Sequence, residues 1–536
     1  MTGDTAPELE SFPQGGVAAI AGATGAIGHA LLTAIEASGR GDGARLPTCR
    51  NGRQGGQASG RVFTPWTDTR PTFRSRLTPR ATAPLPGASS PLGAGAPGLS
   101  FLLRPVMGRP PPPRRGGGAR FRTPHSGYHF AGQRRSWFEG WYFRVTLPEE
   151  RKSFAFMYSI EDPAGGSARS GMGVQVMGPR PEEGGKGGQE GYLCHYTRNV
   201  HRFWGDERAL QLGACLERNA REPALETPGR MLPAEDFERR VARGFQASAS
   251  LHQGRVVASG AGAGGSIPQS VAECSWSYTT EPLAGWGNTA GPPQPTAGWL
   301  AALPVFEPHW QVLMAHGRSS GRIEWGGQTY EFEDAPSYAE KNWGAGFPRR
   351  WFWIQCNAFE EGDLRPEGTA DISVTATGAT RQLPGPLGEE DVALIGVHIR
   401  GAFVELSPMT DAALTWDVDP WGRWSMEGEN GDFRAVLEAT CASPGTPLRA
   451  PTAEGLVPVC NDSFEGELRL QVWEGGAKIA DARSTNAGLE VGGTLWGAGS
   501  PWVGESRMKQ PLKSIVGLPI NPSSRLVPER LRPSGL

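Results

Sequence analysis

The chain has 536 residues, and its 53 Lys and Arg nearly balance its 55 Asp and Glu, giving a formal net charge of −2. A near-neutral total provides no global field that would attract nucleic acid or an anionic membrane. The 76 Gly and 47 Pro argue against a helical bundle. No apolar run reaches the roughly 20 residues that a membrane-spanning helix needs.

The first 120 residues differ in composition from the rest. Residues 44–122 contain fourteen Arg, no Lys and a single acidic residue, Asp68. An Arg-rich, acid-poor segment with Ser is typical of an organelle transit peptide. A disordered Pro-rich linker has the same composition, so both interpretations of 1–120 stay open.

A short patterned segment precedes this basic region. Residues 16–21 predict a strand, 22–28 a Gly-x-x-Gly-x-x-Gly turn and 30–37 a helix. The three resemble the first βα unit of short-chain dehydrogenases, whose glycine turn holds a dinucleotide phosphate. No further βα units follow to cover such a strand on both faces. We therefore interpret about 16–50 as a truncated Rossmann-like fragment, from a fusion or a misassigned coding start, and not as a nucleotide site.

From residue 121 onward the sequence is typical of an all-β protein. Seventeen of the 18 Trp lie after residue 130, in short aromatic or alternating runs separated by Gly and Pro. The one good helix candidate is 233–241. Many short strands predict a sandwich or barrel. The predicted strands are 141–147, 153–160, 173–177, 245–251, 322–325, 351–356, 372–376, 393–399, 403–406, 434–439 and 468–473.

A motif that occurs twice in the sequence suggests an internal duplication. Residues 134–141, Arg-Arg-Ser-Trp-Phe-Glu-Gly-Trp, begin one aromatic strand set, and 349–353, Arg-Arg-Trp-Phe-Trp, begin another. Each motif opens a stretch of about 200 residues. The pattern predicts two similar barrels with a boundary between residues 335 and 350.

The densest group of aromatic and ionisable residues lies between 338 and 371. Strand alternation places Trp351 and Trp353 on one face. Indole faces can stabilise a cation, so the group predicts an aromatic pocket with a carboxylic acid beside it. An ordinary barrel core with a Glu340–Lys341 surface pair is the alternative, and periodicity alone favours it. The group comprises Tyr338, Glu340, Lys341, Trp343, Trp351, Trp353 and Asp371.

Glu139 is a second acid among aromatic residues, within the sequence Phe-Glu-Gly-Trp-Tyr at 138–142. Burial would raise the pKa of its carboxyl, which suits a general acid. It could equally pair with Arg134 or Arg144.

Metal, disulfide and nucleotide chemistry are not favoured. Pro124 and Gly127 argue against a helix that would align His125 with His129 as metal ligands. The seven Cys form no C-x-x-C motif, which favours reduced thiols. Neither a G-x-S-x-G elbow nor a P-loop is present.

Seven long runs are typical of one family: 123–130, 137–143, 153–159, 305–312, 335–344, 347–357 and 444–453. They resemble the tocopherol cyclases of plant and algal plastids. The resemblance covers about 121–536 and does not extend into 1–120. It implies an isomerase that closes the chromanol ring of a tocopherol, for example γ-tocopherol from 2,3-dimethyl-6-phytyl-1,4-benzoquinol, without a cofactor.

The resemblance also implies a fold and a location. Related carotenoid 1,2-hydratases contain two lipocalin-like barrels, which agrees with the repeated Arg-aromatic motif. We therefore expect an all-β chain with two consecutive lipocalin-like antiparallel β-barrel domains, 121–345 and 346–536, after a largely disordered leader. We also expect a chloroplast protein attached peripherally to plastoglobules, with a prenylated hydroquinone as substrate, no nucleic-acid partner and no transmembrane segment.

The implied chemistry assigns candidate residues. An acid protonates the alkene of the prenyl chain, and the phenol oxygen captures the tertiary cation. A carboxylic acid kept protonated in an apolar site and indole faces supply what this needs. Related hydratases carry an acid about as far beyond their Asn-Trp-Gly motif as Asp371, which is the first candidate, followed by Glu340 and Glu139. The expected pocket residues are Tyr338, Trp343, Trp351, Trp353, Trp141 and Tyr142.

Two alternatives remain on sequence grounds. A non-catalytic carrier of prenyl lipids would have the same barrels and indoles. A carotenoid hydratase would use the same cation but let water trap it as a tertiary alcohol.

Overall fold

The computed structural model describes most of the chain beyond the leader. The leader, its Rossmann-like fragment and Asp371 lie outside the described residues. The described ranges are 123–181, 188–220, 230–259, 267–298, 301, 307–362, 372–382, 388–496 and 499–507.

Eleven antiparallel strands of the described residues form the first sheet, in the order β4-β3-β2-β1-β11-β10-β9-β8-β7-β6-β5. A short helix, α1 (Ala234–Arg240), precedes β7 and buries Phe237. The strands are β1 (Phe138–Leu147), β2 (Lys152–Glu161), β3 (Gly171–Gly178), β4 (Gly191–Thr197), β5 (Phe203–Gly205), β6 (Gln211–Arg218), β7 (Val241–Ser248), β8 (Leu251–Val257), β9 (Glu273–Ala284), β10 (His309–Trp325) and β11 (Gln328–Gly344).

The second sheet has twelve described strands, in the order β16-β15-β14-β12-β22-β21-β19-β18-β17-β23, while β13 pairs with β22 and β20 with β21. They are β12 (Arg350–Cys356), β13 (Glu361–Gly362), β14 (Ser373–Gln382), β15 (Glu389–Ile399), β16 (Ala402–Leu406), β17 (Ala413–Val418), β18 (Arg423–Glu429), β19 (Phe433–Thr440), β20 (Thr446–Thr452), β21 (Gly455–Glu474), β22 (Ala477–Gly493) and β23 (Trp502–Ser506). Short 3₁₀ helices occur at Pro148–Glu150, Val200–Arg202 and Pro408–Thr410.

The expected all-β fold is confirmed, in the form of two successive antiparallel sheets, and so is the helix expected at 233–241. The predicted run 245–251 is divided by the turn between β7 and β8. The run 322–325 is only the end of β10, whose first half is almost entirely buried on both faces and therefore lacks an alternating pattern. The domain limits 121–345 and 346–536 stay a prediction.

Both sheets begin in the same way. In the first sheet, β1 lies between β2 and the last strand, β11. In the second, β12 lies between β14 and the long late strand β22. The two Arg-aromatic motifs of the sequence therefore lead into equivalent positions of their sheets.

Apolar clusters divide the described structure into layers. Trp141, Phe143 and Val145 of β1 belong to a core within the first sheet, and a second core fills the second sheet. Because strand side chains alternate, Tyr142 of the same strand points the other way. It joins the clusters that contain Trp351 and Trp353 of β12. The first sheet thus has one face on its own core and one face toward the second sheet.

Glycine and tryptophan are paired across strands. A β-carbon added at Gly254 would overlap the ring of Trp276, which lies directly opposite on β9. The same holds for Gly492 opposite Trp351. Glycine leaves the pleat open, so a flat indole can lie across the neighbouring strand. This pairing explains part of the high Gly and Trp content of the chain. Further pairs are Gly213–Trp204, Gly504–Trp416 and Gly378–Phe352.

A substitution tests this packing. Gly254→Ala should lower the free energy of unfolding by about 1–3 kcal/mol, because the added methyl group displaces the Trp276 indole from a filled core. The matched control is Gly140→Ala on β1, where an added β-carbon would approach no closer than 3.6 Å to the carbonyl oxygen of Tyr158. Urea unfolding followed by Trp fluorescence measures both. Equal stability of the two variants would contradict the packing argument.

Candidate active site between the two sheets

Two rows of side chains face each other between the sheets. In the first sheet, Tyr142 of β1 lies directly opposite Glu340 of β11. In the second, Trp353 of β12 lies opposite Glu490 of β22, which lies opposite Asp462 of β21. Residues directly opposite in paired strands project to the same face of a sheet. The register thus brings three carboxyl groups toward one inter-sheet region.

Glu340 is a buried acid held by neutral donors. The Tyr338 hydroxyl donates to its Oε2 at 2.7 Å, and the Trp353 indole N–H donates to the same oxygen at 3.1 Å. Burial raises the pKa of Glu340 from 4.5 to about 7, although the hydrogen bonds from Tyr338, Trp310 and Trp353 partly oppose the shift. A carboxyl with this pKa holds a proton in a large share of molecules at neutral pH.

Aromatic rings surround this acid. The Trp353 ring meets Tyr142 edge to face at 5.5 Å between centroids and lies 5.9 Å from Tyr338. Tyr142 and Tyr338 are also edge to face, at 6.4 Å. Such faces carry negative charge density that attracts a cation at short range. The region therefore combines a proton source with cation-tolerant walls.

A second pair of acids lies beside the first. The Trp351 indole N–H donates to Glu490 Oε1. Asp462 is fully buried, and among the described residues neither of its oxygens has a hydrogen-bond partner. Burial and the Glu490 charge raise the pKa of Asp462, and burial raises that of Glu490.

Arg144 provides a positive charge near these acids. Its guanidinium donates to Gln355 Oε1 at 2.8 Å, to Ser153 Oγ at 3.1 Å and to the Asn486 carbonyl at 2.6 Å. Its charge lowers the pKa of Asp462 but does not offset the effect of burial. Arg144 is therefore fixed by neutral acceptors and stabilises the acids only at a distance.

Part of the inter-sheet region stays accessible, because Tyr142, Met157 and Glu490 are each partly exposed. Met157 lies opposite Tyr142 on β2, so these side chains are continuous with the site. An apolar and aromatic lining with a few polar groups is typical of a site for a small apolar ligand.

The other face of β1 and β11 carries a separate polar cluster. Lys341 and Glu139 are both fully buried and form an ion pair inside the first sheet. The Lys341 ammonium also donates to the Gly127 carbonyl at 2.7 Å, and the His129 backbone N–H donates to Glu139 Oε2 at 3.0 Å. Burial raises the pKa of Glu139 and lowers that of Lys341, while each charge offsets part of the other's shift.

Aromatic rings enclose this ion pair as well. The Lys341 ammonium lies 5.1 Å from the Trp141 ring centroid and 5.2 Å from that of Trp343. His129 stacks on Trp343 at 4.2 Å between centroids, and burial keeps its pKa low, so the imidazole is neutral. The two charges of the pair therefore compensate each other within the cluster, as in a structural polar network.

The structure separates the residues that the sequence grouped together. Tyr338, Glu340, Trp353, Tyr142 and Trp351 meet between the sheets, and Trp351 and Trp353 share a face, as alternation predicts.

The surface-pair alternative is wrong, because Glu340 and Lys341 are both buried on opposite faces of β11. The pairing of Glu139 with Arg134 or Arg144 is also wrong, since Lys341 takes that place. Glu139, Trp141 and Trp343 lie on the face turned away from the inter-sheet region.

Two acids of the site had no sequence signal strong enough to identify them. Glu490 stands between Leu489 and Val491, where alternation marks it only as facing away from the core of its own sheet. Asp462 lies in the polar run 461–463 and looks like a surface residue. Their proximity follows from strand pairing, which local sequence does not encode.

The fold and the site define a class: a β-protein of two consecutive sheets with carboxylic acids and aromatic rings enclosed between them. Within the described ranges, no helix has the length and apolar character needed to cross a membrane.

Comparison with known proteins identifies the family. The model of the tocopherol cyclase-like family matches residues 134–493. The chloroplastic tocopherol cyclase of Zea mays is 42% identical over 478 residues, which cover 87% of this chain and 96% of that protein. The probable chloroplastic tocopherol cyclase of Oryza sativa subsp. japonica is 42% identical over 437 residues, 77% of this chain and 87% of that protein. The chain belongs to the tocopherol cyclase-like family.

Solved structures are more distant. An AttH-type protein of Nitrosomonas europaea is 13% identical, with a TM-score of 0.35, over 69% of this chain and 95% of that one. Kievitone hydratase of Nectria haematococca is 11% identical, with a TM-score of 0.35, over 71% of this chain and 93% of that one.

The Glu139–Lys341 pair yields a stability prediction. Lys341→Met should lower the free energy of unfolding by about 3–5 kcal/mol, because it leaves the Glu139 carboxyl buried without its partner. Adding Glu139→Gln should restore part of that loss. The matched control is Lys152→Met, which removes an exposed lysine paired with Glu150 and should change stability by less than about 1 kcal/mol. Urea unfolding is the measurement, and a Lys341→Met variant as stable as the control would refute the pairing.

Proposed function

We propose that the chain is a tocopherol cyclase, an isomerase that closes the chromanol ring of a phytyl-benzoquinol such as 2,3-dimethyl-6-phytyl-1,4-benzoquinol. Family membership and two relatives named tocopherol cyclase, each 42% identical, support this proposal. The observation that carries the chemistry is Glu340, a buried carboxyl with a raised pKa among Tyr142, Tyr338 and Trp353. The names of these relatives do not favour the carrier and hydratase alternatives.

In the proposed reaction Glu340 is the proton donor. Its carboxylic acid transfers a proton to the alkene carbon nearer the aromatic ring, which breaks the C=C π bond and leaves a tertiary cation on the next carbon. The phenol oxygen then forms a C–O bond to that cation and loses its proton. No atom is gained or lost overall, so the product is an isomer of the substrate.

The aromatic walls complete the proposed mechanism. The rings of Tyr142, Tyr338 and Trp353 offer faces that stabilise positive charge in the transition state. The apolar side chains between the sheets limit access of water, which would otherwise trap the cation as an alcohol.

Geometry favours Glu340 over Glu139 as the donor. Both Glu139 oxygens already accept hydrogen bonds, from Lys341 and the His129 backbone, and the carboxyl lies inside the first sheet. Glu340 instead faces the region between the sheets. Asp371 lies outside the described residues and stays a candidate that mutation must test in parallel.

We also propose a chloroplast location with peripheral attachment at plastoglobules. The two relatives are named chloroplastic, which supports the organelle. An Arg-rich leader with one acidic residue between 44 and 122 is compatible with import.

Replacement of the donor is the first functional test. Glu340→Gln keeps the shape and the hydrogen bonds from Tyr338 and Trp353 but removes the proton, so chromanol formation should fall by at least about 100-fold. Binding of the quinol, followed by quenching of Trp fluorescence, should be retained.

Asp371→Asn is the comparison variant. Near-normal chromanol formation by Glu340→Gln, together with its loss in Asp371→Asn, would transfer the donor role to Asp371. A hydrated open-chain alcohol as the main wild-type product would instead contradict the cyclase assignment.

The pKa of Glu340 predicts the pH dependence. Because the donor must be protonated, the single-turnover rate should be constant well below pH 7 and fall about tenfold per pH unit above it. The titratable groups that face Glu340 are Tyr338, Tyr142 and Glu490, and burial raises the pKa of all three. Rapid-quench measurement of chromanol formation from pH 5 to 9 tests the predicted fall of the rate above pH 7. A rate that rises through pH 7 would contradict a protonated donor.

A further inference from the structure

The proposed reaction leaves the Asp462–Glu490 pair without a use. The two side chains lie directly opposite each other on β21 and β22, facing the first sheet. Asp462 is fully buried and, within the part of the chain that the structure describes, both of its oxygens lack a hydrogen-bond partner. Burying a carboxyl with unfilled acceptors costs free energy. A ligand that donates a hydrogen bond would recover that cost.

The pair is adjacent to the proposed proton donor. Trp353 donates to Glu340 and is itself directly opposite Glu490. Trp351, two positions away on the same face, donates to Glu490. One strand, β12, therefore supports both acid sites through two indole N–H groups.

Tyr142 links the two sites from the first sheet. It lies directly opposite Glu340, and among the described residues its buried hydroxyl has no hydrogen-bond partner. Burial raises the pKa of Tyr142, and the charges of Asp462, Glu340 and Glu490 raise it further, which places all three carboxyls within electrostatic range of this hydroxyl. The Tyr142 hydroxyl and the Asp462 carboxyl, both without a hydrogen-bond partner among the described residues, thus lie in the same inter-sheet region.

The Glu490 charge disfavours ionisation of its neighbour Asp462, so the pair favours a single negative charge and can accept a proton. Arg144 stabilises the single negative charge, because its guanidinium favours ionised Asp462. Glu340 holds the proton that it donates to the alkene, and the pair can accept the proton that the phenol loses. The two sites therefore differ in the direction of proton transfer that they favour.

We propose that the Asp462–Glu490 pair is the base of the cyclisation and that the Asp462 carboxylate accepts the proton of the attacking phenol. This inference rests on the proposed function and adds a second catalytic group to it. The substrate hydroxyl donates to Asp462 in the bound state, and this contact orients the oxygen toward the cation.

The proton balance closes. The O–H bond of the phenol breaks as the C–O bond forms, and its proton goes to Asp462, while Glu340 has lost its proton to the alkene carbon. After product release, exchange with water returns a proton to Glu340 and removes one from the pair. No oxidant or other co-reactant takes part.

Deuterium in the recovered substrate distinguishes this base from a structural acid. In D₂O the wild-type enzyme should place one deuterium on carbon 3 of the chromanol ring and none in unreacted quinol. Asp462→Asn still allows protonation, but capture stalls because the phenol proton has no acceptor. The cation then loses a proton back to Glu340, so recovered quinol should carry deuterium at its alkene carbon, and chromanol formation should fall by at least about tenfold.

Three further variants make the outcome decisive. Glu340→Gln should give deuterium in neither compound, because no cation forms. Glu490→Gln should reproduce the Asp462→Asn result in weaker form, and it serves if Asp462→Asn does not fold. The matched control is Glu161→Gln, a buried carboxyl four positions along β2 from Met157 that also lacks a hydrogen-bond partner among the described residues. It should behave as wild type.

Two results would overturn the inference. One is chromanol formation by folded Asp462→Asn or Glu490→Gln at the wild-type rate with unlabelled quinol. The other is a slowed variant whose recovered quinol stays unlabelled, since that would show a loss of protonation and not of capture. Failure of the wild-type enzyme to form any chromanol would instead refute the proposed function itself. Mass spectrometry of quinol and chromanol measures the amount and the deuterium content of both compounds and so distinguishes these outcomes.

Discussion

Enclosure of carboxyl groups between two sheets is the constraint on which the site depends. Glu340 and Asp462 are buried and Glu490 is partly buried between the sheets, and within the described ranges only neutral groups donate hydrogen bonds to them. Desolvation disfavours the charged form of an acid, so Glu340 keeps its proton at a pH where an exposed carboxyl would lose it, and the Asp462–Glu490 pair favours a single negative charge over two. The fold thereby supplies acid strength at neutral pH. The same enclosure excludes the water that would divert a cation.

The sheets create this enclosure because each strand near the site has two buried faces. One face of β1 and β11 packs into the core of the first sheet, and the other meets the second sheet. The Glu139–Lys341 ion pair joins these two strands on the far side, and Glu340 and Tyr142 project from the near side. Fixing the register on one face therefore fixes the acid on the other, since a shift by one residue would exchange the faces. The Trp351 indole packs over Gly492 and fixes the register of β12 and β22 in a comparable way.

Sequence alone predicted much of the fold but only part of the site. Alternation and aromatic runs predicted most strands and the common face of Trp351 and Trp353, because these signals are local. The sequence did not distinguish the role of Glu340 from that of Glu139, since both are acids among aromatic residues. The two differ in the face of the sheet to which they project. Asp462 and Glu490 were missed because Glu490 meets Trp353 only through pairing of strands that are far apart in the sequence, and Asp462 joins them only as the cross-strand neighbour of Glu490. Asp371, the first sequence candidate, lies outside the described residues, and its role stays a prediction.

The central claim is that Glu340 in the ligand-free protein keeps its proton up to about pH 7. Infrared difference titration in the carbonyl-stretch region, wild type minus Glu340→Gln, measures that proton directly. The account predicts a protonated carboxylic-acid band that is present at pH 6, disappears around pH 7 and is missing in the variant. A band that titrates near 4.5, the ordinary value for a glutamic acid, or a difference spectrum without such a band at pH 6, would contradict it.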